Sequence, residues 1–224
     1  MSTLKSIQVL RTARYYTLGE PTPEVRDVWF VCHGYGQSAA AFVEEFQQIA
    51  DPSRLIVAPE ALSRFYATDN TEFHGSDVPV VASWMTREDR EHEIADYVAY
   101  LDAVYTEIFS VLNRESATVT VLGFSQGGAT ANRWVTQGKV KADRLIMWGS
   151  LLTSDSDLNE AAQFFRNVEL TIVYGTRDQF GSREMIENYQ RSLEHHKIPY
   201  GLRTFEGRHR MDRETLIGLA RGAK

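Results

Sequence analysis

The hexapeptide Gly123-Phe124-Ser125-Gln126-Gly127-Gly128 sets one serine between two glycines, after the strand-like run 118–122 and before a helix-forming stretch. A serine hydroxyl becomes a nucleophile when a base takes its proton and an acid orients that base. A sharp strand-to-helix turn would lift the hydroxyl into a cleft. Side chains two positions either side would collide with neighbouring elements, which is the steric reason for the nucleophile-elbow pattern G-x-S-x-G. The helix that follows would aim its free N–H groups and positive dipole end at developing negative charge. A serine N-cap at an ordinary strand–helix junction matches the same pattern, so its weight depends on partners elsewhere in the chain.

Those partners should follow in the order acid, then histidine, each on a loop after a later strand. Asp178 ends Gly175-Thr176-Arg177-Asp178 after the strand 168–174, and His209 ends Glu206-Gly207-Arg208-His209 after the last one, 200–205. Asp155 and Asp157, after the preceding strand, compete for the place of the acid. Of the other histidines, His195 and His196 sit at a helix end and His92 in a charged helix start. His74 lies in a long loop within reach of substrate, and His33 precedes a second Gly-rich turn.

That second turn, residues 31–38, follows an early central strand. Acyl transfer builds charge on a carbonyl oxygen, and at least two N–H donors must meet it. The N–H groups of Tyr35 and Gln126 are the expected oxyanion hole, with His33 bracing the loop. Cys32, inside an apolar strand, reads as an inert buried thiol. Phe65, Tyr66, Trp84 and Phe180 are candidate walls of a substrate pocket, with plain core packing as the equal alternative for each.

The elements that must position these groups alternate. A strand pair is expected at 7–10 and 13–18, and buried strands at 28–32, 55–58, 118–122, 145–148, 170–174 and 200–205. Helices are expected near 39–50, 91–112, from 126, near 183–195 and near 213–220. Strand alternating with helix predicts an α/β fold, a mostly parallel central sheet with helices on both faces. Residues 60–86 break the alternation. They are long, mixed and aromatic, which suits a lid or substrate-binding loop. No linker divides the 224 residues, so one domain over 1–224 is expected.

Composition sets the class. The chain is 43% hydrophobic and 24% charged with a formal net charge of −6, which argues against nucleic acid as a partner. No window is apolar enough for a membrane span and the start does not read as a secretory signal. The single cysteine excludes an internal disulfide and a Cys-based zinc site, and suggests a cytoplasmic setting.

The pieces CHGYG at 32–36, GFSQGG at 123–128, YGTRD at 174–178 and GRH at 207–209 together resemble the α/β-hydrolase superfamily. More narrowly they resemble the small carboxylesterase/phospholipase group that includes acyl-protein thioesterases, where Gln commonly follows the serine. The resemblance covers nearly the whole chain. It implies an α/β-hydrolase fold and serine hydrolysis of small-molecule esters or thioesters, with no metal and no organic cofactor. Arg177, Arg208 and Arg210 depart from the usual small or apolar neighbours and could make the mouth of the site positive, unless they pair with loop acids. The expected activity is a carboxylesterase acting on small to medium acyl esters. A thioesterase or lysophospholipase on the same machinery is an alternative, as is a non-catalytic ligand-binding homologue. Exposed lid aromatics could pair two subunits into a homodimer.

Overall fold

A computed structural model describes residues 2–68, 77–152 and 158–222. Strand β1 (Tyr15–Leu18) lies antiparallel to β3 (Arg54–Pro59). From β3 onward the sheet is parallel: β3, β2 (Asp27–Cys32), β6 (Thr118–Phe124), β7 (Arg144–Trp148), β8 (Glu169–Gly175) and β9 (Gly201–Phe205), in that spatial order. Alternate residues along a strand face opposite ways. Both faces of these strands are apolar because both are covered. Val28, Phe30 and Cys32 enter one core with Leu55 and Val57, whereas Trp29 and Val31 enter the other with Ile56 and Ala58.

Helices α2 (Arg90–Phe109) and α3 (Gln126–Gln137) cover the first face through Tyr97, Leu101 and Trp134. The short α4 (Leu158–Phe164) joins them there through Ala161, and α5 (Arg183–His195) through Leu193. The second face takes α1 (Ala39–Glu44) and α6 (Arg213–Arg221), through Phe42, Val43, Leu216 and Leu219. Among the described residues no helix is long and apolar enough to cross a membrane.

Two expectations need correction. Residues 7–10 form no strand; Ile7, Val9 and Leu10 are exposed. Tyr15–Leu18 pairs with β3 rather than with residues 7–10, and β1 stands as the edge of the sheet. The stretch 60–86 contains a two-stranded hairpin, β4 (Ser63–Tyr66) and β5 (Val80–Ser83), standing apart from the main sheet. The first-face helix α4 was not anticipated, since its apolar spacing covers barely two turns.

Candidate active site

Ser125 leaves the carboxyl end of the central strand β6 with φ 54° and ψ −119°, a backbone region that L-residues rarely adopt. Its N–H donates to Trp148 O at 2.8 Å and its carbonyl accepts from Gly128 N–H at 2.9 Å, which holds the turn. A side chain on Gly123 would strike the backbone of Gly127, and one on Gly127 would strike the carbonyls of Cys32 and His33. The elbow is therefore wedged directly against the end of β2. Ser38, Ser182 and Asp212 cap the N-termini of α1, α5 and α6 through their side chains. Ser125 occupies the same position on α3 and makes no such bond, so its hydroxyl is left available.

The loops after β8 and β9 are stitched together. Thr176 N–H donates to Phe205 O at 2.9 Å and Arg177 N–H to Gly207 O at 2.8 Å. Asp178 and His209 meet across that seam. Asp178 Oδ2 accepts from His209 Nδ1–H at 2.7 Å, and Oδ1 accepts from Phe180 N–H at 2.9 Å. Both side chains are nearly buried, at 4% and 11% exposure. With Nδ1 donating, Nε2 carries the lone pair. It is buried and has no hydrogen-bond partner among the described residues. The Ser125 hydroxyl makes no hydrogen bond to it.

One residue behind this pair was not anticipated. Gly149, just past β7, has φ 59°, and a Cβ there would lie 2.7 Å from His209 Cε1 and 3.0 Å from Nδ1. Only glycine both tolerates that backbone and lets the imidazole lie flat on it. The signal in the sequence was a glycine directly after an apolar strand, which ordinary turns share. If His209 acts as the base, Gly149→Ala is expected to cut kcat by about 10²-fold, the scale of a misplacement of about 1 Å. Measuring kcat and KM separately checks this, because a displaced imidazole should spare KM.

The second donor loop is built from its flanks. Gly34 N–H donates to Gln37 Oε1 at 2.7 Å and Gly36 N–H to Ala82 O at 3.0 Å. The Tyr35 N–H between them makes no hydrogen bond among the described residues. The Gln126 N–H, in the first turn of α3, is one of the donors a helix leaves free. The Gln126 side chain has a second task. Its Oε1 accepts from Trp84 N–H at 3.0 Å and its Nε2 donates to Met85 O at 2.7 Å, tying the end of β5 to the elbow.

His33 is fully buried. Its Nδ1–H donates to Gly34 O at 2.8 Å and its Nε2 accepts from Ala61 N–H at 3.1 Å, so it is neutral and braces the loop. Burial holds its pKa below the ordinary imidazole value, with Glu60 nearby pulling weakly the other way. Because the unfolded chain binds the proton more readily, stability from His33 is complete above about pH 6.5 and falls as pH drops toward the lowered native value. Melting temperatures from pH 7.5 to 5 should decline in the wild type and decline less in His33→Gln.

The aromatic candidates separate. Phe180, largely exposed, sets its ring 4.8 Å from that of His209. Phe65 and Tyr66 stand on β4, with Phe65 5.6 Å from the ring of Tyr35. Trp84 is buried at 2% exposure, 5.2 Å from the His33 ring, with Nε1–H donating to His33 O at 2.8 Å. It therefore supports the loop from beneath. Arg177 pairs with Glu206 at 3.4 Å and Arg210 with Asp212 at 3.0 Å, so two of the three arginines are offset by loop acids. Asp155, Asp157 and His74 lie outside the described residues. Burial also raises the Cys32 thiol pKa, leaving it unreactive.

The sequence profile of the phospholipase/carboxylesterase family matches residues 16–220. No curated protein is matched by sequence. Among solved structures, a carboxylesterase from Mesorhizobium loti superposes with TM-score 0.68 at 18% identity, over 94% of this chain and 93% of that one. Acyl-protein thioesterase 2 from Zea mays gives TM-score 0.64 at 16% identity, over 94% and 97%. The Bacillus cereus carboxylesterase gives 0.64 at 12% identity, over 94% and 92%. At these identities the likeness is one of fold, and that fold is the α/β-hydrolase fold.

Proposed function

Because the chain belongs to the phospholipase/carboxylesterase family of serine hydrolases, we propose that it is a serine carboxylesterase acting on small to medium acyl esters through Ser125, His209 and Asp178. The observation that carries this reading is the buried Asp178–His209 pair, whose Nε2 has no partner among the described residues and whose imidazole lies 4.8 Å from the ring of Phe124, the residue before the strained Ser125. Ser125 Oγ attacks the acyl carbonyl while His209 Nε2 takes its proton. Asp178 keeps the imidazole in the needed tautomer and stabilises its cation. The N–H groups of Tyr35 and Gln126 meet the oxyanion. His209 then returns the proton to the leaving alcohol, and water resolves the acyl-enzyme by the same route. No metal or organic cofactor enters this scheme.

Phe65, Tyr66 and Phe180 form the rim through which substrate enters, with the 60–86 stretch as the binding loop. We read residues 1–224 as one catalytic domain working in the cytoplasm. The reading is tested by labelling with a fluorophosphonate and mapping the adduct, which should fall on Ser125. A protein that binds esters yet resists labelling would be a non-catalytic homologue. Activity that climbs steadily from butyryl to dodecanoyl esters or thioesters would reassign the substrate to lysophospholipids or acyl thioesters.

A further inference from the structure

The stretch 33–39 joins the end of β2 to the start of α1 and carries the Tyr35 N–H. Two consecutive residues, Glu60 and Ala61, hold its two ends. Ala61 N–H donates to His33 Nε2 at 3.1 Å, and Ala39 N–H donates to Glu60 Oε2 at 3.3 Å. Both holders directly follow β3, the strand beside β2 in the sheet. The stretch between them contains Gly34 and Gly36, the latter with φ 70°. Glycine adds little stiffness of its own, so the course of this loop depends on how its ends are held.

Glu60 is an uncommon residue for such a place. Its side chain is 2% exposed, and a carboxylate so far from water is costly unless it is paired and hydrogen-bonded. Arg14, itself about half exposed, supplies the opposite charge. Its Nε donates to Glu60 Oε1 at 2.7 Å, and its Nη2 lies 2.6 Å from the same oxygen. Anchoring the chain ahead of β1 does not require this pair. Glu60 N–H and the Tyr100 hydroxyl already donate to Arg14 O, at 3.0 and 2.6 Å. What the pair adds is direction: with Oε1 held by Arg14, Oε2 is turned to Ala39 N–H.

We propose that Glu60, oriented by Arg14, is a positioning residue for the oxyanion loop. It fixes Ala39 while Ala61 fixes His33, and the Tyr35 N–H between them is kept aimed at the developing oxyanion. This inference rests on the reading of Ser125 as nucleophile and Tyr35 as donor.

Glu60→Gln tests it without leaving a buried charge behind. An amide has one acceptor oxygen and one donor group. Arg14 draws the oxygen, so the NH2 opposes Ala39 N–H and that end of the loop is released. Turnover of p-nitrophenyl butyrate should fall by roughly 10- to 10²-fold, short of the 10² to 10³ that follows outright loss of an oxyanion donor. kcat and kcat/KM should fall together with KM nearly unchanged, the mark of an interaction made in the transition state. A trifluoromethyl ketone reports on the donors directly. Ser125 Oγ bonds to its carbonyl carbon, the serine proton moves to His209 Nε2, and the ketone oxygen becomes the oxyanion. Its Ki should rise by the same factor as kcat/KM falls. Adding Arg14→Met frees the amide oxygen to turn to Ala39, and the double variant should recover most of the lost rate and affinity. Fluorophosphonate titration normalises each variant to its active fraction. Glu60→Asp, which keeps the charge and withdraws it from Ala39, should show the same paired losses and serves if Glu60→Gln does not fold. Unchanged kcat in the single variant, a ketone Ki that does not move, or a double variant as slow as the single overturns the role of Glu60. Failure of the wild type to label at Ser125 overturns the triad reading itself.

Discussion

Replacing Ser125 with alanine is expected to lower turnover of p-nitrophenyl butyrate by a factor on the order of 10⁴ to 10⁶. The change removes one oxygen and no capping bond, since the hydroxyl makes none to α3. The fold should persist, and the melting temperature should stay close to the wild type or rise. The Tyr35 and Gln126 N–H groups proposed to meet the oxyanion remain, which is why a residual rate over water is expected and complete inactivity is not. Alanine at φ 54° carries much the same backbone strain as serine, so the comparison isolates the nucleophile. A variant that keeps more than about a tenth of wild-type turnover would remove Ser125 from the chemistry.

Asp178→Asn is expected to cost on the order of 10⁴ in kcat, the scale that a wrong histidine tautomer produces in serine hydrolases. The geometry explains why an isosteric change should be so severe. The carboxylate accepts from two donors at once, His209 Nδ1–H and Phe180 N–H. An amide offers one acceptor and one donor group. If its oxygen faces Phe180, its NH2 faces His209, the imidazole moves its proton to Nε2, and no base faces Ser125. If its oxygen faces His209, the NH2 opposes the Phe180 N–H and the loop must open. Fluorophosphonate labelling of the variant should slow by a similar factor, because the same base is needed. Labelling at the wild-type rate would point to another acid.

The architecture was readable where local pattern and tertiary demand coincide. Continuous apolar runs such as 28–32 and 145–148 declare strands buried on both faces, and loops after such strands are where Ser125, Asp178 and His209 occur. What stayed hidden depends on neighbours distant in sequence. Ile7 to Leu10 has the composition of a strand, but Tyr15–Leu18 pairs with β3, some forty residues on, and no local composition reports that choice. Trp84 suits a pocket wall and plain core packing equally well from the sequence. Its ring is tied to the His33 carbonyl by a hydrogen bond spanning 51 positions. Gly149 carries no mark in the chain that separates it from a turn glycine, since its reason is the imidazole lying against it.

The side-chain bonds from Gln126 to Trp84 N–H and Met85 O fasten the base of the β4–β5 hairpin to the nucleophile turn. A second fastening joins Gln37 to Ala82 on the oxyanion loop. The end of β5 is therefore anchored at two points, one on the turn that carries Ser125 and one on the loop that carries Tyr35. The hairpin strands and the serine turn are thereby coupled, so a substitution that loosens either fastening is felt at both.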